Sequence, residues 1–128
     1  VKLLLDTCAF LWLVDQTDRV PPHVLALFES PENDVYLSTV SAWEIAITFG
    51  QGRLALAERP ERFVPKQRAA HHIASLAVDE ESALHASRLP HLHRDPFDRL
   101  LVSQAIVHGM TILTPDPILS QYPARTFW

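Results

Sequence analysis

One cysteine, Cys8, stands among 128 residues, so the chain cannot close an internal disulfide. That excludes the small secreted domains held together by disulfides and fits a reducing, cytoplasmic setting. Basic charge is scarce as well. Eleven Lys and Arg against fifteen Asp and Glu leave a net charge of −4, which excludes a generic polyanion binder but not a local basic patch. Long apolar runs are missing. The opening VKLLLDTCAFLWLV is broken by Asp6, is too short to span a bilayer and has no signal-peptide cleavage pattern, so no membrane association is expected. There is no internal repeat, no low-complexity tract and no linker, which makes residues 1–128 one expected domain.

What is present is enough for a sizeable core: 48% of the residues are apolar and 20% charged. The apolar residues fall in short runs at 2–5, 35–37, 76–78 and 111–113, with a further short run near 125–127. Continuous runs of this kind read as strands buried on both faces. Between them lie helical patterns. One follows Asp6 or Thr7 as N-cap. One opens at Pro21-Pro22. One runs from 38 to 50 with Ser38 or Ser41 as cap, and its apolar face carries Val40, Trp43 or Ala46, and Ile47. Another covers 59–72, where Pro65 should break or re-start it. The next, at 79–88, has an acidic first turn. The last, at 95–108, has Asp95 as cap, Pro96 as first residue, Phe97, Leu100, Leu101 and Ala105 as its stripe, and Gly109 as stop. Alternating short buried strands and helices predict an α/β fold with a parallel sheet.

Four carboxylates stand out by position. Asp6 ends the first strand, Glu44 lies inside an apolar helix, Asp98 opens the helix before the fourth strand, and Asp116 follows that strand. A carboxylate in an apolar helix is costly unless it is paired or bound to a cation. Ligands of open α/β sheets bind beyond the carboxyl ends of the strands, where Asp6 and Asp116 must lie. If strands one and four are neighbours, these two acids approach, and the first turn of the helix entering strand four lies at the same edge. Converging carboxylates repel each other and persist when protonated or when they hold a hard divalent cation. Mg²⁺ or Mn²⁺ is the natural occupant, and such a site performs metal-assisted phosphoryl chemistry. Thr7 and Thr114, next to two of the acids, are placed to orient them.

The segments LLLDT (3–7), SAWEIAI (41–47), HRDPFDRLLVSQA (93–105) and ILTPD (112–116) resemble, in order and spacing, the four motif regions of PIN-domain ribonucleases, specifically VapC-type toxins of toxin–antitoxin pairs. The resemblance covers essentially the whole chain. It implies a three-layer α/β/α sandwich around a short, mainly parallel sheet. It also implies Mg²⁺- or Mn²⁺-dependent cleavage of RNA, homodimers, and inhibition by a cognate antitoxin, with DNA contacted only through the antitoxin complex. On this resemblance Asp6, Glu44, Asp98 and Asp116 are the catalytic and metal-holding acids. Cys8 departs from the pattern, since many relatives carry His there. Asp95 fits the PFDR sub-pattern as a supporting residue; a helix cap and a metal contact both stay open for it, with the cap the favoured reading.

Other signals are weaker. Residues 93–95 spell the HRD of a kinase catalytic loop, but no Gly-rich loop and no DFG accompany it. His91, His93 and Asp95 have zinc-like alternation, which is common in loops. Eight of the eleven basic residues lie between Arg53 and Arg99, and Arg94 and Arg99 flank the acids as substrate-binding candidates. Trp12, Trp43 and Phe49 read as core, dimer contact or antitoxin groove rather than as base-stacking platforms. The competing function is a non-catalytic module that acts through an antitoxin-type partner and DNA-bound autoregulation.

Overall fold

The computed structural model describes residues 1–92 and 95–128. Strands β1 (Lys2–Leu5), β2 (Asp34–Ser38), β3 (Ala74–Leu76), β4 (Thr111–Leu113) and β5 (Arg125–Phe127) pair in the order β3-β2-β1-β4-β5, and every pairing is parallel. The helices are α1 (Thr7–Asp15), α2 (Pro22–Glu29), α3 (Thr39–Gly50), α4 (Pro60–Ala70), α5 (Glu80–Ala86) and α6 (Pro96–His108), with 3₁₀ turns at Thr17–Arg19 and Leu119–Gln121.

β1 shows why the sheet is covered on both sides. Its side chains alternate between faces. Leu3 and Leu5 enter a core with Phe10, Leu13, Val24, Phe28, Ile45 and Phe63, from α1 to α4. Leu4 enters a second core with Leu101, Val102, Ala105 and Ile112, under α6. Leu4 and Leu5 are fully buried, as a strand with three consecutive leucines requires. The result is the three-layer α/β arrangement expected from the sequence.

Three local expectations change. Helix α4 runs straight through Pro65. The proline removes one bond, to the carbonyl of Glu61, and both residues are exposed, so water can replace it. On α3 the buried residues are Val40, Ser41 and Ile45, whereas Trp43 is 60% exposed. β3 also begins two residues earlier than the apolar run suggests, because the ladder pairs Tyr36 with Ala74.

α5 is fastened to α6 through its N-cap and first turn. Near its start, Asp79 accepts from Ser82 and faces His108 Nε2 at 2.8 Å, and these bonds hold its carboxyl well below the usual range. Ser103 Oγ donates to Ser82 O at 2.5 Å. Gly109 closes α6 in the left-handed conformation, φ +65, which glycine adopts without steric cost.

Candidate active site

The strand order reverses direction between β1 and β4, and ligands of open parallel sheets bind at such a switch point. Asp6 is built into it. Its N–H donates to Leu113 O at 3.2 Å, extending the β1–β4 ladder by one bond. Its Oδ1 accepts from Ala9 N at 2.6 Å as the N-cap of α1, and its Oδ2 accepts from Thr114 Oγ1. Only 6% of Asp6 is exposed.

Glu44 comes in on α3. Ser38 caps that helix, accepting from Val40 N at 3.1 Å. Thr7 Oγ1 donates to Glu44 Oε1 at 2.5 Å, tying α3 to the first turn of α1. Asp116 lies in the turn after β4. Its N–H donates to Thr114 Oγ1 at 3.0 Å, and its Oδ1 accepts from Ile118 N at 2.9 Å. Thr114 therefore bridges two acids, Asp6 through its proton and Asp116 through its lone pair. Asp95 caps α6, accepting from Phe97 N at 2.9 Å, and Asp98 follows in the first turn.

The acids sense one another. Burial pushes the Asp6 carboxyl up to about 6, against the bonds from Thr114 and Ala9, and Asp116 and Glu44 push the same way. Asp98 is raised to about 7, first by burial and then by Asp95, Glu44, Asp6 and Asp116. Glu44 is raised by burial, with the Thr7 bond opposing and Asp95 adding to the rise. A helix N-terminus favours a charged Asp98, but here burial and neighbouring carboxylates outweigh the dipole. The Cys8 thiol is pushed up to about 11 by burial and then by Asp6, so it stays protonated at neutral pH and supplies no thiolate.

Among the described residues, no three His, Cys, Asp or Glu side chains are arranged to ligate one metal ion together. The donor chemistry still fits a hard divalent cation. The four candidate acids offer only oxygen, and Mg²⁺ keeps several waters while binding through one or two carboxylates.

Two basic candidates fare differently. Arg94 lies outside the described residues, as does His93 with its HRD and zinc readings. Arg99 is engaged elsewhere: Nη1 donates to Pro90 O at 2.9 Å, and Nη2 to Ala86 O at 2.9 Å and Leu89 O at 3.2 Å. Those carbonyls belong to the end of α5 and the loop after it, so Arg99 clamps that loop to α6. Arg99→Ala should lower stability by about 1–3 kcal/mol in urea unfolding, as loss of charge-assisted bonds does. Lys, lacking the planar fork, should not restore it.

Gln104 was missed in the sequence. It is fully buried on α6. Its Oε1 accepts from Ser38 Oγ at 2.5 Å, and its Nε2 donates to Ala77 O at 3.2 Å. The available signal was an amide in the middle of the helix's apolar run.

The PIN domain family model matches residues 3–124. No curated protein matches the sequence. Among solved structures, the chain is similar to VapBC2 from Rickettsia felis bound to a DNA fragment from its promoter, with TM-score 0.74, 12% identity, and coverage of 99% of this chain and 98% of that one. It is similar to DNA-bound VapBC from Salmonella typhimurium, with TM-score 0.68, 18% identity, and coverage of 99% and 97%. It is also similar to FitAcB from Neisseria gonorrhoeae, with TM-score 0.63, 22% identity, and coverage of 98% and 96%. At these identities the structures establish a shared fold. With the family model spanning nearly its whole length, the chain belongs to the PIN domain family.

Proposed function

We propose that this protein is a divalent-metal-dependent endoribonuclease and the toxin of a toxin–antitoxin pair. The observation that carries the reading is the gathering of Asp6, Glu44, Asp98 and Asp116 near the switch point of a PIN fold, with Glu44 and Asp116 close enough to raise the affinity of Asp6 and Asp98 for protons. Support for the toxin role comes from the similar folds seen in VapBC and FitAcB. The partner is then a cognate antitoxin, the working form is a homodimer, DNA is met only through the antitoxin complex, and the setting is cytoplasmic.

Asp6, Glu44, Asp98 and Asp116 would hold Mg²⁺ or Mn²⁺, directly or through water. Such an ion, when bound, lowers the pKa of a water and offsets charge on the phosphate. The chain's own work is positioning. Thr114 fixes Asp6 and, through its lone pair, the turn that carries Asp116. Thr7 fixes Glu44. Asp95 starts α6 so that Asp98 falls in its first turn. Attack by water, not by the ribose 2′-hydroxyl, leaves a 5′-phosphate and a 3′-hydroxyl.

The test is incubation of total cellular RNA with the purified chain, with Mg²⁺ or Mn²⁺ and with chelator. Discrete fragments that need the metal and carry 5′-phosphates are expected. Fragments ending in 2′,3′-cyclic phosphate would refute the mechanism. A folded chain that binds metal and cleaves no RNA would shift the reading to the non-catalytic module.

A further inference from the structure

Eight of the eleven basic residues fall between Arg53 and Arg99, and the others are Lys2, Arg19 and Arg125. Lys2 and Arg125 begin β1 and β5, so they stand at the edge of the sheet opposite the acids. Arg19 ends the 3₁₀ turn that follows α1. Its guanidinium lies over the Trp12 ring, 4.8 Å from the centroid. Trp12 in turn packs against Trp128, with ring centroids 5.8 Å apart and the planes at 58°. Both indoles are half-buried against the α1–α4 core, whereas Arg19 is exposed.

Two routes through the structure place this cation at the edge that carries the acids. The first runs across the sheet. Asp6, Thr114 and Trp128 are the residues that follow β1, β4 and β5, and these parallel strands all end at one edge. Asp6 N–H donates to Leu113 O and Thr114 N–H to Phe127 O, both at 3.2 Å, so the three residues form one row. At the ordinary spacing of strands, Trp128 stands roughly 10 Å along that row from Asp6. The second route runs along α1, which Asp6 caps. Trp12 lies a rise of about 9 Å beyond the cap, and helical side chains lean back toward the N-terminus. Cys8 sits one turn before Trp12, on the same face and between the two. The charges that reach its thiol agree with this placement. Burial raises the Cys8 thiol most; of the charges, Asp6 acts first and Arg19 second, ahead of Asp116 and Glu44.

Among the described residues Arg19 enters no ion pair, although Asp15 and Asp18 are close to it in sequence. Other cations are committed: Lys66 to Glu58, Arg59 to Glu61, and Arg68 and Arg99 to backbone carbonyls. A cation over an aromatic ring is held by its charge, which leaves its N–H donors for an oxygen ligand. A guanidinium also suits phosphate, because its planar fork binds two oxygens at once while it stacks on an indole. An RNA strand that crosses a group of carboxylates is repelled by them, so it needs fixed cations beside the acids. We propose that Arg19, seated on the Trp12–Trp128 pair, binds a phosphate of the RNA that flanks the one being cleaved. The assignment rests on the ribonuclease reading and adds to it a contact that positions the strand. The location favours this ligand over a protein carboxylate, because the reading brings a phosphate chain to this edge.

The experiment is fluorescence anisotropy of a 5′-labelled single-stranded RNA of mixed sequence, in chelator, over a series of salt concentrations. Titrations are made with the wild type, Arg19→Ala, Arg19→Lys and Arg125→Ala, the last removing an exposed cation from the opposite edge. Because both arginines are exposed, the variants should keep the wild-type circular dichroism. Arg19→Ala should weaken binding roughly 10-fold at low salt, the scale of one charge-assisted bond. Its plot of log affinity against log salt should lose about 0.7 of slope, the share of one phosphate on a single strand. Arg19→Lys should keep the slope and recover part of the affinity, and Arg125→Ala should match the wild type. An Arg19→Ala chain with wild-type affinity and slope would overturn the contact. Equal losses in Arg19→Ala and Arg125→Ala would overturn it too, since only net charge would then matter, and so would a wild type that binds no RNA. Unchanged RNA binding with an altered oligomeric state in sedimentation would make Arg19 a protein contact instead. Cleavage kinetics with Mg²⁺ separate this inference from the reading beneath it. Arg19→Ala should raise KM with little change in kcat, as loss of uniform binding does. Metal-dependent cleavage with an unchanged KM keeps the nuclease and removes the contact. Arg19-dependent binding without any cleavage removes the nuclease and keeps the contact.

Discussion

Asp98→Asn is expected to make the metal-free protein more stable while removing RNA cleavage. In the folded, metal-free chain the Asp98 carboxyl is raised to about 7, from an ordinary value of 3.8. Between those values the folded state holds a proton that the unfolded state has released. The stabilisation tied to that proton is fully present below about pH 4 and is lost as pH rises through 7. Above pH 7 the wild type carries a charge that burial and four neighbouring carboxylates all oppose. Asparagine keeps the shape and drops the charge. That rise, discounted for partial solvent screening, gives a gain of about 1–2 kcal/mol at pH 8. That corresponds to a melting temperature higher by roughly 3–10 °C. At pH 4 the difference should vanish. Asp6, raised to about 6, keeps a smaller loss of stability with rising pH in the variant.

Adding Mg²⁺ should reverse the order. A ligand that binds only the folded chain stabilises it by mass action, and the wild type has the fuller donor set. Cleavage by the variant should fall at least about 100-fold, the scale for removing one group that stabilises charge in the transition state. Thermal melts at pH 4 and pH 8, with Mg²⁺ and with chelator, check the stability half, and timed RNA cleavage checks the other. A variant less stable than wild type at pH 8 in chelator would mean that the fold favours the Asp98 charge. A variant that still cleaves would remove Asp98 from the site.

Much of this architecture was legible because it is local. Three leucines before an acid read as a buried strand, and β1 is one. Asp95-Pro96 reads as a helix start, and Asp95 does cap α6. The placement of Asp6 and Asp116 at one edge followed from strand direction, and the β1–β4 pairing supplies the adjacency it needed. What was not legible depends on which helix meets which. Trp43 fits the apolar stripe of α3 by spacing, yet it is exposed, because the face that α3 buries is set by Ile45 against the sheet core. Arg99 sits beside Asp98 in sequence, but its side chain turns toward the carbonyls of residues 86–90, and no one-dimensional pattern records that direction. The Ser38–Gln104 bond joins residues 66 positions apart.

That bond carries the second large effect. Gln104 links β2, α6 and the segment after β3 through polar bonds, and it is fully buried. Gln104→Leu keeps the volume but leaves the Ser38 hydroxyl and the Ala77 carbonyl without their partner, so a loss of about 2–4 kcal/mol in urea unfolding is expected. Ser38→Ala should cost about 1–2 kcal/mol, because it also removes the cap of α3. If the bond is the unit that matters, the double variant should be less damaged than the sum of the singles, by about 0.5–3 kcal/mol. Strict additivity would mean that the two side chains act independently. The consequence for the site is geometric. Ser38 starts the helix that carries Glu44, and Gln104 stands on the helix that carries Asp98, so the bond fixes one acid relative to the other. Gln104→Leu should therefore shrink the Mg²⁺-induced rise in melting temperature. Gly109→Ala is the control: it strains the positive φ at the far end of α6, costs about 1 kcal/mol, and should leave that rise intact. An equal metal response in both variants would reduce Gln104 to a residue of the core and nothing more.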